Sequence, residues 1–276
     1  MGGRTAAPEQ GALGSTLLYE LRDGVARITL NRPDAASALS VDQRDLMIRL
    51  LNQADGDPDV RAVVIGANGR HFCSGADVKA VAGAMGPHRL AGSTMRMMLS
   101  GAQKLISAIL DCGKPVVAAV QGPALGLGAQ LAFACDLLVA TDTAYFMEPF
   151  VLRGIAVDAG GAYLLPRSIG LQKAKELVFL GERLSATEAK SMGLVNWVYS
   201  EADFPGAVDA LAARLAAAAT TSIALGKRLI NASLDGDRAA AFLAEAMAQE
   251  IATTSEDASE GVSAFLEKRF PKFRGR

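Results

Sequence analysis

Cysteine is scarce in this chain: Cys73, Cys112 and Cys135 are the only three in 276 residues. They lack metal-ligand spacing, and an odd count argues against a disulfide framework. They read as buried free thiols in a reducing cytoplasm. Charge of one sign is also lacking, since a formal net charge of −1 gives no global attraction to nucleic acid or an anionic membrane. No apolar run reaches membrane-spanning length; the stretch 115–120 soon meets glycines and polar residues. Residues 1–15 (MGGRTAAPEQGALGS) are small and polar, lack the apolar centre of a signal peptide, and read as a disordered tail. No tandem repeat recurs at a fixed period.

What is present points to a large core. Half the residues are apolar and 21% are charged, and the length suits one large domain or a domain with an appendage. Segments 17–21 and 25–30 flank Asp23-Gly24, a hairpin signal, and Pro33 ends the second of them. Ser40 with Gln43 is a capping-box pattern opening a helix whose Leu46, Met47, Leu50 and Leu51 share one face. Residues 55–58 (DGDP) stop it, and 60–65 follows as a strand. Residues 94–110 predict a helix with Met95, Met97, Met98, Leu105, Ile106 and Leu110 as packing candidates. Methionines in such number fill core gaps or suit an adaptable pocket. Further on, 137–140 and 145–147 read as strands and 172–180 as a helix. Ser185 with Glu188 gives a second capping box, opening a helix that Gly193 ends. From Phe204 the chain turns helical and alanine-rich. The expected organisation is a tail (1–15), a core (16–203) and a C-terminal helical region (204–276).

The stretch 114–136, KPVVAAVQGPALGLGAQLAFACD, is the centre of the chain. Its valine-rich start has the unbroken apolar character of a strand covered on both faces. Gly122, Gly126 and Gly128 cluster at a turn, and a helix starts near Leu127. Glycines there let the backbone approach a ligand closely. The first helical N–H groups have no partner within the helix, and the macrodipole adds positive character. Such a turn can hold negative charge on a substrate oxygen, although a purely structural turn would look similar.

Five segments occur in a characteristic order: NRPDAASAL (31–39), FCSGADVK (72–79), GPALGLGAQLAFACDL (122–137), RLSATEAKSMGLV (183–195) and FLEKRFPKFRGR (265–276). On these the chain resembles the enoyl-CoA hydratase/isomerase (crotonase) superfamily, from about residue 16 to the C-terminus. The resemblance implies an α/β fold built as a spiral of ββα units, with C-terminal helices that pack on neighbouring subunits in homotrimers or hexamers. It also implies an acyl-CoA substrate, coenzyme A arriving as part of that substrate, and no metal, nicotinamide or flavin.

By position in these motifs, the backbone N–H groups of Ala76 (SGAD) and Leu127 (GLG) resemble the two donors that hold the thioester oxygen as charge develops on it. Each is worth roughly 3 kcal/mol. Many relatives carry glycine or alanine where Leu127 stands; leucine keeps the donor but its side chain bears on the pocket. The coenzyme A arm is expected on the backbone around Ala36 and Ala38 and on Ala76, Asp77, Val78 and Lys79. Lys272 and Phe273 are expected to meet a neighbouring subunit's nucleotide. Asp77 is expected to brace its loop or cap the next helix.

One departure bears on the reaction. Hydratases of this family use two glutamates to hold and activate water; the corresponding positions here are Gln130 and Phe150, expected to line the acyl site. Neither can move a proton near neutral pH. Glu148 is close by, but it precedes Pro149, and strand alternation is read as turning it to the opposite face. Asp158, in GIAVDAGG, sits where dienoyl-CoA isomerases and, more closely, ring-1,2-epoxyphenylacetyl-CoA isomerases carry a catalytic aspartate. The same position carries the nucleophilic aspartate of 4-chlorobenzoyl-CoA dehalogenases. A single carboxylate in an apolar cleft can have a raised pKa and shuttle a proton between carbons. The alternative role is an N-cap for the helix after Ala159. His71, His88 and Arg153 read as structural or surface residues. The expected function is an enoyl-CoA isomerase, with a hydratase of altered acid–base set or a non-catalytic acyl-CoA-binding subunit as alternatives.

Overall fold

The computed structural model describes residues 4–5, 15–77 and 90–276. A two-residue strand, β1 (Arg4–Thr5), pairs with β2 (Leu17–Arg22), which forms an antiparallel hairpin with β3 (Val25–Leu30). Asp23 and Gly24 both take positive φ at its turn, as a two-residue hairpin requires. The capping box at Ser40 is formed in both directions, each bond 3.2 Å, and opens α1 (Val41–Gly56).

The strand after α1 begins two residues later than the sequence suggests, as β4 (Ala62–Ala67). The Val60 N–H closes a turn onto the Asp57 carbonyl, and the Arg61 N–H bonds to Gly24, so the ladder starts only at Ala62. The predicted 94–110 helix is interrupted: α2 (Ser93–Met97) leads through a π-turn (Met98–Ala102) into α3 (Gln103–Leu110).

The chain then alternates between two sheets. β5 (Val116–Val120) passes to β6 (Ala124–Leu125) and α4 (Leu127–Phe133). β7 (Leu137–Thr141) passes to β8 (Tyr145–Met147) and α5 (Gly161–Leu180), which is broken at Gly170. β9 (Arg183–Ser185) passes to α6 (Ala186–Ser191) and β10 (Trp197–Tyr199). The large sheet has the order β1-β2-β3-β4-β5-β7-β10, parallel from β3 onward; β6, β8 and β9 form the small one. This is the crotonase-type path of ββα units. Four helices close the chain: α7 (Phe204–Ala216), α8 (Thr220–Ala232), α9 (Arg238–Thr253) and α10 (Glu256–Leu266).

Burial explains the unbroken apolar text of β5. Val116, Ala118 and Val120 face the main core with Ile65, Leu51, Leu105 and Leu131. Val117 and Ala119 face the other side, where Val25, Val64 and Val139 meet Phe204, Val208 and Ala212 of α7. A strand covered on both faces has no polar side to alternate with. Among the described residues, no single helix is long and apolar enough to cross a membrane.

Candidate functional site

The loop 72–77 and the glycine turn lie side by side. The Leu125 N–H bonds to the Cys73 carbonyl at 2.9 Å, and Cys73 bridges Ala124. A side chain at Gly128 would run into the Cys73 carbonyl oxygen, so this approach requires glycine. On the other side of the loop, Leu39 donates to the Gly75 carbonyl and accepts from the Asp77 N–H, each at 2.9 Å. These bonds flank Ala76 without engaging its own N–H. A methyl group built on Gly75, the residue before Ala76, would lie 3.7 Å from the Leu127 nitrogen. Among the described residues, neither the Ala76 nor the Leu127 N–H donates a hydrogen bond. Two peptide donors without partners suit an oxygen that gains negative charge.

The expected coenzyme A segment is braced from inside. The Arg32 guanidinium reaches the Ala38 carbonyl and Gln43 Oε1, both at 3.1 Å, and Asp77 Oδ2 at 3.4 Å. The Ala36 carbonyl accepts from the Ser74 N–H at 3.0 Å. Ala36 and Ala38 also donate their own N–H groups within the turn. Each of these carbonyls keeps a second lone pair for a ligand. Val78, Lys79 and His88 lie outside the described residues.

Gln130, on α4, is wholly buried, and its Nε2 donates to Glu148 Oε2 at 2.8 Å. Glu148 is itself only 2% exposed. The expectation that it faces away is therefore corrected. Phe146 and Glu148 are two residues apart and share a face, while Gln130 and Phe133 are three apart on one face of α4. The Phe133 and Phe146 rings meet at 5.0 Å, and the next contact along both elements is Gln130 with Glu148. Phe150 follows in a helical conformation (φ −60°, ψ −48°), so strand alternation stops before it. Its ring packs against Gly126 at the mouth of the same turn.

Burial pushes the Glu148 carboxyl up to about 8; the Gln130 hydrogen bond opposes this and the charge of Asp158 adds to it. Asp158 is half-buried just before α5, and burial raises its pKa as well. It makes no side-chain cap: the N-cap of α5 is Gly160, without a side-chain bond. Gly161 opens that helix directly against Gln130, where any side chain would collide with the amide.

Other residues lie apart from this cluster. Lys272 is exposed and tied through its N–H to Glu260 at 2.7 Å, while the Phe273 ring packs on Gly261, both just beyond α10. Within one chain they reach no residue of the cluster among the contacts described. Arg153 is exposed, and the His71 carbonyl accepts from Gln121 at 3.0 Å. Cys73, Cys112 and Cys135 are free; burial pushes the Cys73 thiol up to about 12 and raises the other two. A cavity of about 1180 Å³ lies elsewhere, between Lys114, Asp136, Arg167 and Lys227, and none of Ala76, Leu127, Gln130, Glu148 or Asp158 lines it.

A two-sheet α/β spiral of this strand order, with a glycine turn leading from β6 into α4, defines a crotonase-type protein. The chain belongs to the enoyl-CoA hydratase/isomerase family, whose model matches residues 20–276. It is 38% identical to the "Probable enoyl-CoA hydratase" of Rhodobacter capsulatus, over 95% of this chain and 98% of that one. It is 32% identical to the 1,2-epoxyphenylacetyl-CoA isomerase of Escherichia coli, over 94% of this chain and 98% of that one. The crystal structure of an enoyl-CoA hydratase from Bacillus anthracis superposes with a TM-score of 0.87 at 31% identity, covering 95% of this chain and all of the other.

Proposed function

We propose that the protein is an acyl-CoA isomerase that moves a double bond by way of an enolate, with Asp158 as the proton carrier. In this reading Asp158 takes a proton from C2 of a 3-enoyl thioester. The C–H electron pair moves toward the carbonyl, and the oxygen gains charge between the Ala76 and Leu127 N–H groups. The protonated Asp158 then returns the proton to C4, and the double bond settles at C2–C3. The carrying observation is that the two family glutamate positions hold Gln130 and Phe150, which cannot transfer protons, while Asp158 is half-buried, uncapped and of raised pKa.

A second reading, hydration, is favoured by Glu148, a buried carboxyl beside Gln130. The experiment that separates them incubates purified protein with a 2-enoyl-CoA and a 3-enoyl-CoA in deuterated water, beside Asp158→Asn. Double-bond migration with little hydration, lost in the variant, supports the isomerase. Hydration that survives the substitution overturns it. Thioester binding without turnover, unchanged in the variant, would indicate a binding subunit.

We also infer assembly into trimers or pairs of trimers, in the cytoplasm. The support is apolar text left uncovered on one chain: Leu243, Met247 and Ile251 form an exposed stripe along α9, and Val262 and Phe265 another on α10.

A further inference from the structure

Glu148 has no role in the proton transfer described so far, yet its surroundings are unlike those of any surface acid. It is 2% exposed and holds one hydrogen bond, from Gln130. No lysine or arginine pairs with it among the described residues. Among the described residues, its Oε1 and the Oε1 of Gln130 are both buried without a hydrogen-bond partner. The neighbouring elements supply little charge: α4 offers the neutral Gln130, and the segment before α5 offers Asp158. On β9, Arg183 stacks over the Tyr145 ring instead. A carboxylate shut in this way, with no cation, is strongly disfavoured against the protonated acid.

We propose that Glu148 is a positioning residue for the proton-transfer step at Asp158: clamped by Gln130 as a neutral acid, it keeps a second negative charge away from the reacting carboxyl. The inference rests on Asp158 being the proton carrier. While Glu148 keeps its proton, Asp158 and the enolate charge meet no negative charge from it. Once Glu148 ionises, near pH 8, that charge opposes both the Asp158 carboxylate and the enolate. The site therefore works below that pH and fails above it, for a reason located at Glu148 and not at the base itself.

The test measures kcat and KM for wild type, Glu148→Gln and Asp158→Asn from pH 6 to pH 9 on a 3-enoyl-CoA. The wild-type kcat is expected to fall on the alkaline side, and the ratio of Glu148→Gln to wild-type kcat to rise about tenfold between pH 7 and pH 9, with the KM ratio constant. A merely structural Glu148 would lower kcat by one factor at every pH. A flat ratio, with Asp158→Asn inactive, overturns the inference and leaves the isomerase reading standing. An active Asp158→Asn overturns that reading first. A second measurement needs neither turnover nor a Glu148 variant. With carboxyl-labelled glutamate, one carbon-13 resonance is expected to titrate near pH 8 in wild type and at lower pH in Asp158→Asn. If every glutamate titrates below about pH 6, the neutral acid does not exist and the proposal falls.

Discussion

Lys227 reaches from α8 across to the start of β5, its Nζ 2.8 Å from Asp136 Oδ2 and 2.8 Å from the Ile109 carbonyl. Asp136 in turn accepts the Val116 N–H at 2.7 Å, the first rung of β5. One lysine thereby joins the C-terminal helices to the strand that delivers the glycine turn.

Removing that cation leaves a part-buried carboxylate without its counter-charge. Lys227→Met is expected to lower stability by about 3 kcal/mol in urea titrations at pH 7. Burial raises the Asp136 pKa, so the acid protonates readily as pH falls, and the cost should shrink at acidic pH. Adding Asp136→Asn to the variant should recover most of the loss; no recovery would mean the lysine acts through packing alone.

Asp158→Asn is expected to reduce kcat by about 10²–10⁴-fold, the range of one general acid–base group. Its thermal midpoint should not drop, because burial disfavours the charge being removed. A variant that unfolds would point instead to a structural aspartate.

Glu148 sets a pH dependence of stability with a definite sign. Its folded pKa, about 8, lies above its ordinary value, so its stabilising contribution is full below about pH 4 and disappears as pH rises toward 8. Between those limits the linkage amounts to at most about 5 kcal/mol. Denaturant titrations at pH 5 and pH 8 should show the wild type weakening and Glu148→Gln changing far less.

Gly128→Ala tests the turn itself. The added methyl meets the Cys73 carbonyl and pushes the loop carrying Ala76 away from Leu127. The expected loss is about 10²–10³-fold in kcat, as for one oxyanion donor, with a stability cost of about 2 kcal/mol. Retained activity would argue that the two donors do not act together.

Met247→Glu places a charge in the middle of the exposed α9 stripe. If copies of the chain pack there, light scattering should show a shift from assembly to single chains. An unchanged mass would move the contact elsewhere.

Local chemistry was legible in the text, and packing between distant elements was not. Asp23-Gly24, the Ser40–Gln43 and Ser185–Glu188 boxes and the all-apolar β5 each carry their cause within a few residues, and the structure forms all of them. The Ala76 and Leu127 amides come from motifs, and their proximity follows from the Cys73–Gly128 contact, which no local pattern announces. The direction of Glu148 depends on how α4 lies on β8, eighteen residues away in sequence, which strand alternation alone does not report. The even spacing from Phe146 was the signal that would have found it. The π-turn at Met98–Ala102 has no local marker that we can name.

The fit of the Gln130 amide between Glu148 and Gly161 also limits how this pocket can change over generations. A glutamate placed at 130 alone would meet Glu148 at hydrogen-bonding distance, and two carboxyls there share one proton, so the newcomer would not be a free base. A larger residue at 161 would expel whatever stands at 130. Two-carboxylate chemistry in this pocket therefore takes concerted substitution at 130 and 148.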